Sequence, residues 1–94
     1  MIRIINPNQP PKEPDPLYEL ALEKTKTFKG KHGTVEVDGK QYKYGAMEYF
    51  EGPQLMYLIT VECEGIQKVT RQRSTIKGYA VCYKAIQQEL QQKN

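Results

Sequence analysis

The chain has little of what most enzymes and metal sites need: it contains one histidine, two cysteines and no tryptophan. Cys63 and Cys82 lie far apart without Cys-x-x-Cys spacing, so we expect two small buried thiols rather than a zinc site or a disulfide framework. His32 lies in a turn-like context and has no partner for a nucleophilic pair. The glycines form neither a G-x-G-x-x-G nor a Walker loop. We therefore predict a protein that is not an enzyme and that carries no metal or cofactor.

Long apolar runs are also missing. The segment Met1–Ile5 is too short for a signal-peptide apolar region and contains an arginine. No stretch approaches the roughly 20 apolar residues that cross a bilayer. We expect a soluble, unexported and therefore cytoplasmic protein that does not contact membranes. A chain of 94 residues holds one domain with a thin core, in which seven tyrosines and two phenylalanines carry much of the packing.

Charge is distributed along the chain in bands. The net charge is −2 over residues 1–23, +4 over 24–47, −4 over 48–67 and +5 over 68–94, which gives +3 in total. Two positive bands separated by an acidic one can form a single positive face on a folded domain, which suits a polyanion. An ordinary solvated surface of mixed sign explains the same pattern equally well.

The N-terminal part combines a proline-rich lead-in with a helix. Residues 6–16 contain five of the six prolines, so we assign residues 1–16 to an irregular lead-in and 17–94 to one domain. Within the lead-in, Met1–Ile5 is either a short edge strand or a frayed terminus. Asp15-Pro16 then opens a helix that fades between Thr27 and Gly30. Its buried stripe is predicted at Leu17, Leu20 and Ala21.

The rest of the chain predicts a sheet followed by a second helix. Asp38-Gly39 between alternating runs indicates a two-residue hairpin in which Val35 faces Tyr42. Further extended segments are expected at Ala46–Phe50, Gln54–Cys63 and Ile66–Arg71, with a turn at Gly52-Pro53. Ser74 caps a helix from Thr75 to about Gln92, whose apolar face comprises Ile76, Tyr79, Ala80, Tyr83, Ile86 and Leu90. The predicted fold is α+β: a helix, an antiparallel sheet of three to four strands, and a helix, with both helices on one sheet face.

Several of these segments resemble the double-stranded-RNA-binding domain over residues 15–92. The similarity lies in Leu17-Tyr18-Glu19-Leu20 of the first helix, in Glu51-Gly52-Pro53 before the second long strand, and in Ile59–Gly65. It continues in the final helix, at Ser74, Gly78, Cys82, Ile86 and Leu90. In that family the module spans two successive minor grooves and the major groove between them. The resemblance implies that Glu19 accepts a hydrogen bond from a ribose hydroxyl, and that Gly52 and Pro53 form the contacting loop.

Phosphate contacts would come from basic residues near the final helix. The family has a lysine cluster at the start of that helix, where this chain has Thr75, Ile76 and Tyr79; it also has Leu55 where the family's Gly-Pro loop carries a histidine. The candidates for phosphate contacts are Lys68, Arg71, Arg73, Lys77 and Lys84. Lys24, Lys26, Lys29 and Lys31 form a possible second patch. The first hypothesis is thus a small non-catalytic module that contacts the RNA backbone through a basic face.

The second hypothesis is a small interaction, inhibitor or regulatory protein, for example one encoded by a phage or mobile element, that docks on a larger complex. The aromatic residues that this hypothesis assigns to the interface are Tyr42, Tyr44, Tyr49, Tyr57 and Tyr79. Tyrosines on alternating strands more commonly pack in the core against the sheet. An exposed edge strand could also pair two copies into a homodimer. A third hypothesis, acid–base or metal chemistry by Glu48, Glu51, Glu62 and Glu64, is weaker than a solvated strand face.

Overall fold

Two helices and four antiparallel strands make up the part of the chain that the computed structural model describes, residues 15–92. The elements are α1 (Pro16–Lys24), a 3-10 turn (Thr25–Thr27), β1 (His32–Val37), β2 (Lys40–Glu51), β3 (Gln54–Cys63), β4 (Ile66–Gln72) and α2 (Thr75–Gln92). Both helices pack on the sheet, which confirms the predicted α+β class. The strand considered at Met1–Ile5, and the lead-in as far as residue 14, lie outside the described residues.

Each helix begins at the predicted capping residue. The Asp15 carboxylate accepts hydrogen bonds from the backbone amides of Leu17 and Tyr18, at 3.1 and 3.4 Å. Ser74 Oγ accepts from the amide of Lys77 at 3.3 Å. These side chains bind amide groups that have no partner inside the first turn, so they set the two starting points locally.

The sheet is a simple meander in the order β1-β2-β3-β4. Asp38 and Gly39 both have positive φ, as a type I′ turn requires, and Val35 pairs with Tyr42 as predicted. The expected segment Ala46–Phe50 is not separate from the hairpin strand before it. Both belong to the 12-residue strand β2, which continues through Gly45.

The two central strands extend beyond their neighbours. β1 pairs with β2 only as far as Gly45, and β4 pairs with β3 only as far as Tyr57. In residues 47–56, β2 and β3 therefore pair only with each other. β1 does not pair with this part of β2, and β4 does not pair with residues 54–56 of β3. We call residues 47–56 the arm. Its tip is Gly52-Pro53, where Gly52 has a φ of +60°.

An aromatic cluster fills the space between the sheet and the helices. Phe28 stacks on Tyr44 at 4.7 Å, and Tyr79 approaches Tyr44 edge-on at 5.1 Å. Tyr42 and Tyr83 lie 5.2 Å apart. Tyr42, Tyr44 and Tyr79 are buried, so these three are core residues and not interface residues as the docking hypothesis suggested.

Tyrosine hydroxyls also hold the connection that leads into β1. Tyr44 Oη donates to the carbonyl of Lys29 at 2.7 Å and accepts from its amide at 3.0 Å. Tyr79 Oη donates to the carbonyl of Gly30 at 3.0 Å. The Tyr44 ring lies directly across Gly33, where a Cβ atom would come within 2.6 Å of the hydroxyl oxygen. Each buried hydroxyl is thereby satisfied while its ring packs in the core.

The burial of the helices corrects part of the sequence prediction. Leu17 and Leu20 of α1 are about half exposed, because the helix turns Tyr18, Ala21 and Leu22 toward the core instead. The predicted stripe and the buried one both have helical spacing. Ala21 belongs to both, and its small side chain allows α1 to pack closely against the core. Ile76 of α2 is also exposed, because the first turn of α2 lies at the margin of the sheet just after β4.

Candidate binding surfaces

Both helices lie on one side of the sheet, so the other side is uncovered. The register places alternate residues of the strands on this side. We call this side the uncovered face. Its central part is formed by Lys43, Gly45, Met47, Tyr49 and Glu51 of β2, Met56, Leu58, Thr60 and Glu62 of β3, and Gln67, Val69 and Arg71 of β4.

The middle of the uncovered face is apolar. Met47 is 61% exposed and pairs with Leu58, and Val69, which is 56% exposed, pairs with Thr60 two residues further along β3. Tyr49 and Met56 pair with each other and continue the apolar area onto the arm. Contiguous apolar surface of this kind marks interaction sites more often than isolated exposed side chains do. Val69 faces outward on this side of β4.

Tyr49 lines a cleft on this face together with Met47, Glu51, Leu58 and Arg71. The Tyr49 hydroxyl oxygen is shielded from solvent and has no hydrogen-bond partner among the described residues. A polar atom that loses water without gaining a partner costs roughly 1–3 kcal/mol. An incoming hydrogen-bonding partner would satisfy this oxygen once the Tyr49 side chain turned outward.

Charged residues lie at both ends of the apolar middle. Glu51, on the arm, lies 3.9 Å from the Arg71 guanidinium. Lys43, toward the other end of β2, is exposed and has no ion pair within residues 15–92. It pairs in the register with Glu62. The uncovered face thus has Glu51 at the arm end of its apolar middle, and Lys43 with the neighbouring Glu62 at the other end.

Three of the predicted phosphate-binding residues are held by acids of the same molecule. Lys68 pairs with Glu89 at 2.6 Å, and Arg71 lies beside Glu51. Lys84 pairs with Asp15, and this hydrogen bond is the main reason why the pKa of Asp15 is lowered. These partners reduce the positive charge that Lys68, Arg71 and Lys84 present to a polyanion.

The remaining candidates divide between two regions. Gly52 and Pro53 form the tip of the arm, and Arg73 and Lys77 lie at the same end of the sheet, just beyond β4. Neither Arg73 nor Lys77 has an ion pair in the described part of the chain. Glu19 belongs to α1, whose last residue pairs with the turn at the opposite end of β2. The structure groups four of the predicted site residues and separates Glu19 from them.

The proposed second basic patch is not a continuous surface. Lys24 binds Asp38 in the β1–β2 turn at 2.9 Å, while Lys31 binds Glu48 on β2. Glu48 is eight residues from Lys40, where β2 begins after this turn, so at about 3.3 Å per residue the two acids are separated by roughly 26 Å along the strand. The hydrogen bonds to Asp38 and Glu48 raise the pKa values of the two lysines. Lys26 pairs with Glu23.

The cysteines are two separate buried thiols. Burial raises the pKa of Cys82 to about 11, and its Sγ donates to the carbonyl of Lys68 at 3.5 Å. Burial also raises the pKa of Cys63. Both thiols are therefore protonated and weakly reactive at neutral pH.

Two simple patterns matter for residues 15–92, a cluster of metal-ligating side chains and a membrane-spanning helix. This part of the chain brings together no group of three histidine, cysteine or acidic side chains that could hold a metal ion. Neither α1 nor α2 is long and apolar enough to span a bilayer. Of the four dense glutamates, Glu48, Glu51 and Glu64 each lie within ion-pair distance of a basic residue.

Comparison of the chain with family models, with curated proteins and with solved structures gives no match. The similarity to the double-stranded-RNA-binding domain thus stays a prediction from the residues. Sequence reasoning did not assign Met47, Leu58 or Val69 to a site. A signal was present in the uninterrupted apolar run Met56–Ile59, because a strand with only one buried face alternates apolar and polar residues.

Proposed function

We propose that this protein is a small non-catalytic interaction module that binds another protein through the uncovered face. The observation that carries the proposal is the apolar area around Met47, Leu58 and Val69, on the side of the sheet that no described element covers. An antiparallel sheet with one solvated side normally presents polar residues there. Methionines and a tyrosine in this position are typical of interface cores.

The electrostatics favour a protein partner over a polyanion. Eleven lysines and arginines and ten acids lie in residues 15–92, so the net charge there is only +1. Seven of those eleven basic residues are within 4.0 Å of an acid in the same chain. Binding to nucleic acid is dominated by lysines and arginines that neutralise phosphates, and these seven are already partly neutralised.

Site-specific photo-crosslinking in the source cells tests this proposal. We would place a benzophenone amino acid at Val69 or at Met47, and at Gln88 on the exposed side of α2 as the matched control. We expect one defined protein to be crosslinked from positions 69 and 47 and not from position 88. Crosslinks of equal yield from all three positions, or none from the uncovered face, would reject this function.

Nucleic-acid binding is the second candidate, and one specific observation favours it. Arg73 and Lys77 have no acidic partner in the described part of the chain and lie at the same end of the sheet as Gly52 and Pro53. In this arrangement Arg73 and Lys77 would bind phosphates while the arm tip contacts a groove. This contact is smaller than the eight-residue site expected from the sequence.

A salt titration distinguishes the two candidate functions. Binding to a fluorescent RNA duplex would be measured for the wild type and for the double variant Arg73→Gln/Lys77→Gln. If both residues bind phosphates, the log–log salt slope falls by roughly 1.4–1.8. The control Lys26→Gln/Lys29→Gln has the same net charge and should keep the wild-type slope. Equal slopes for the two double variants, or no binding at low salt, would discard the RNA proposal.

A further inference from the structure

We infer that the uncovered face binds a second copy of this chain, in a two-fold symmetric dimer with one face against the other. This inference rests on the proposed function, because it names the occupant of the same docking surface. It comes from the order of residues along β2, where Lys43, Gly45, Met47, Tyr49 and Glu51 all point to the uncovered side.

The charges on this strand are arranged so that the face complements itself. Lys43 and Glu51 are each four residues from Met47, which is about 13 Å along the strand. The two-fold axis lies between the two faces, parallel to the row that joins Met47 and Leu58 and therefore perpendicular to the strands. Rotation by 180° about this axis reverses the direction along each strand, so β2 lies over β2 of the second chain and β3 lies over its β3. Glu51 of one chain then lies over Lys43 of the other, and this pairing occurs twice.

The side chains that face each other after this rotation are also complementary in size. The half-turn places Tyr49 over Gly45 of the second chain, so the largest of the β2 residues on this side meets the smallest. Met56 comes over Thr60, and Met47 and Leu58 meet their own copies at the axis. The second chain brings a hydroxyl group, that of Thr60, toward the region of the unpartnered Tyr49 oxygen. Arg71 lies in the axis row on β4, so the half-turn brings it toward its own copy, and Glu51 of the same chain, 3.9 Å from its guanidinium, offsets part of that repulsion.

The size of the face sets the strength of the expected dimer. The stretch from Lys43 to Glu51 is about 27 Å long, and three strands are about 14 Å wide. The contact thus covers roughly 400 Å² on each copy, or about 800 Å² in total, which is below the roughly 1,000 Å² of stable specific interfaces and in the range of weak, transient ones. We therefore expect a weak dimer, in equilibrium with monomer at about 10–100 µM.

Charge exchange between two separately purified variants tests this geometry. Sedimentation equilibrium of the full chain would be recorded from about 10 µM to 1 mM for the wild type, Lys43→Glu and Glu51→Lys. Each variant alone places like charges over each other twice, so its dimer should dissociate about tenfold more readily. In a 1:1 mixture, both opposite-charge contacts form again between unlike chains, and dimer should reappear. Lys29→Glu, at a residue outside the sheet, is the control and should dimerise like the wild type.

Two results would overturn the inference. One is a wild-type chain that stays monomeric to about 1 mM. The other is a mixture of Lys43→Glu and Glu51→Lys that associates no better than either variant alone. If the chain is monomeric but Val69 still crosslinks to a different protein, only the dimer is wrong and the proposed function stands. If crosslinking from the uncovered face also fails, both are wrong.

Discussion

Replacing Gly78 with alanine should destabilise this protein, although the same change stabilises most helices. Alanine is favoured over glycine by about 1 kcal/mol inside a helix. At Gly78, however, a Cβ atom would lie 2.0 Å from Ile59 Cδ1, and 3.1 and 3.2 Å from its Cγ1 and Cβ. Carbon atoms pack best at about 3.5–4.0 Å, so α2 and β3 would have to separate.

The expected loss of stability depends on how far Ile59 can move away from the new methyl group. Its Cδ1 can rotate away, but Cβ is fixed to the backbone of β3, and Ile59 is fully buried. Overpacking of a filled core costs about 1–3 kcal/mol, which equals or exceeds the gain of about 1 kcal/mol in helix propensity. We expect Gly78→Ala to lower the free energy of unfolding by up to about 2 kcal/mol, seen as a lower urea midpoint at unchanged m-value.

Ile59→Val provides the decisive comparison because it removes the Cδ1 atom that the new methyl group meets. Alone it should cost about 0.5–1.5 kcal/mol. Combined with Gly78→Ala, it should cost less than the sum of the two single changes. Gln88→Ala, on the exposed side of α2, controls for propensity and should stay within about 0.5 kcal/mol. A more stable Gly78→Ala protein would show that α2 does not contact β3 this closely.

Three further results are expected. Ile86→Ala should cost about 2–5 kcal/mol in a urea titration, since Ile86 is fully buried, and a change below 0.5 kcal/mol would mean that this helix face is not core. Tyr44→Phe should cost about 1–3 kcal/mol, because both backbone groups of Lys29 lose their partner; an unchanged urea midpoint would refute that role. Burial raises the pKa values of Cys82 to about 11 and Tyr79 to about 12, so the unfolded chain loses these protons first, and the urea midpoint should fall as pH rises from about 9 to 12; a flat profile would contradict this.

The fold was largely predictable because its signals are local. Asp15 and Ser74 cap helices through hydrogen bonds within three residues of themselves, and Asp38-Gly39 accepts the positive φ of its turn. These features fixed the element order and the register of the first hairpin. They could not show which side of α1 is buried, because the stripes through Leu17 and through Tyr18 both have helical spacing.

The binding surface was harder to predict because it depends on contacts between distant parts of the chain. Lys68 and Lys84 look available in the sequence, but folding places Glu89 and Asp15 beside them. A band of positive residues therefore does not establish a positive surface until the ion partners are known. The partner of Lys84 is 69 residues away, and no local pattern contains that information.

The exposed apolar side chains of the uncovered face are informative in a chain of this size. A domain of about 90 residues has few large apolar side chains, and leaving them exposed forgoes roughly 25 cal/mol for each Å² that could have been buried. This chain nevertheless leaves Met47 and Val69 in solvent on a strand side where polar residues would fold equally well. The proposed binding function accounts for their position, and it can be tested at these two residues. If Met47→Gln and Val69→Thr together leave both self-association and crosslinking unchanged, the apolar middle is not a docking surface.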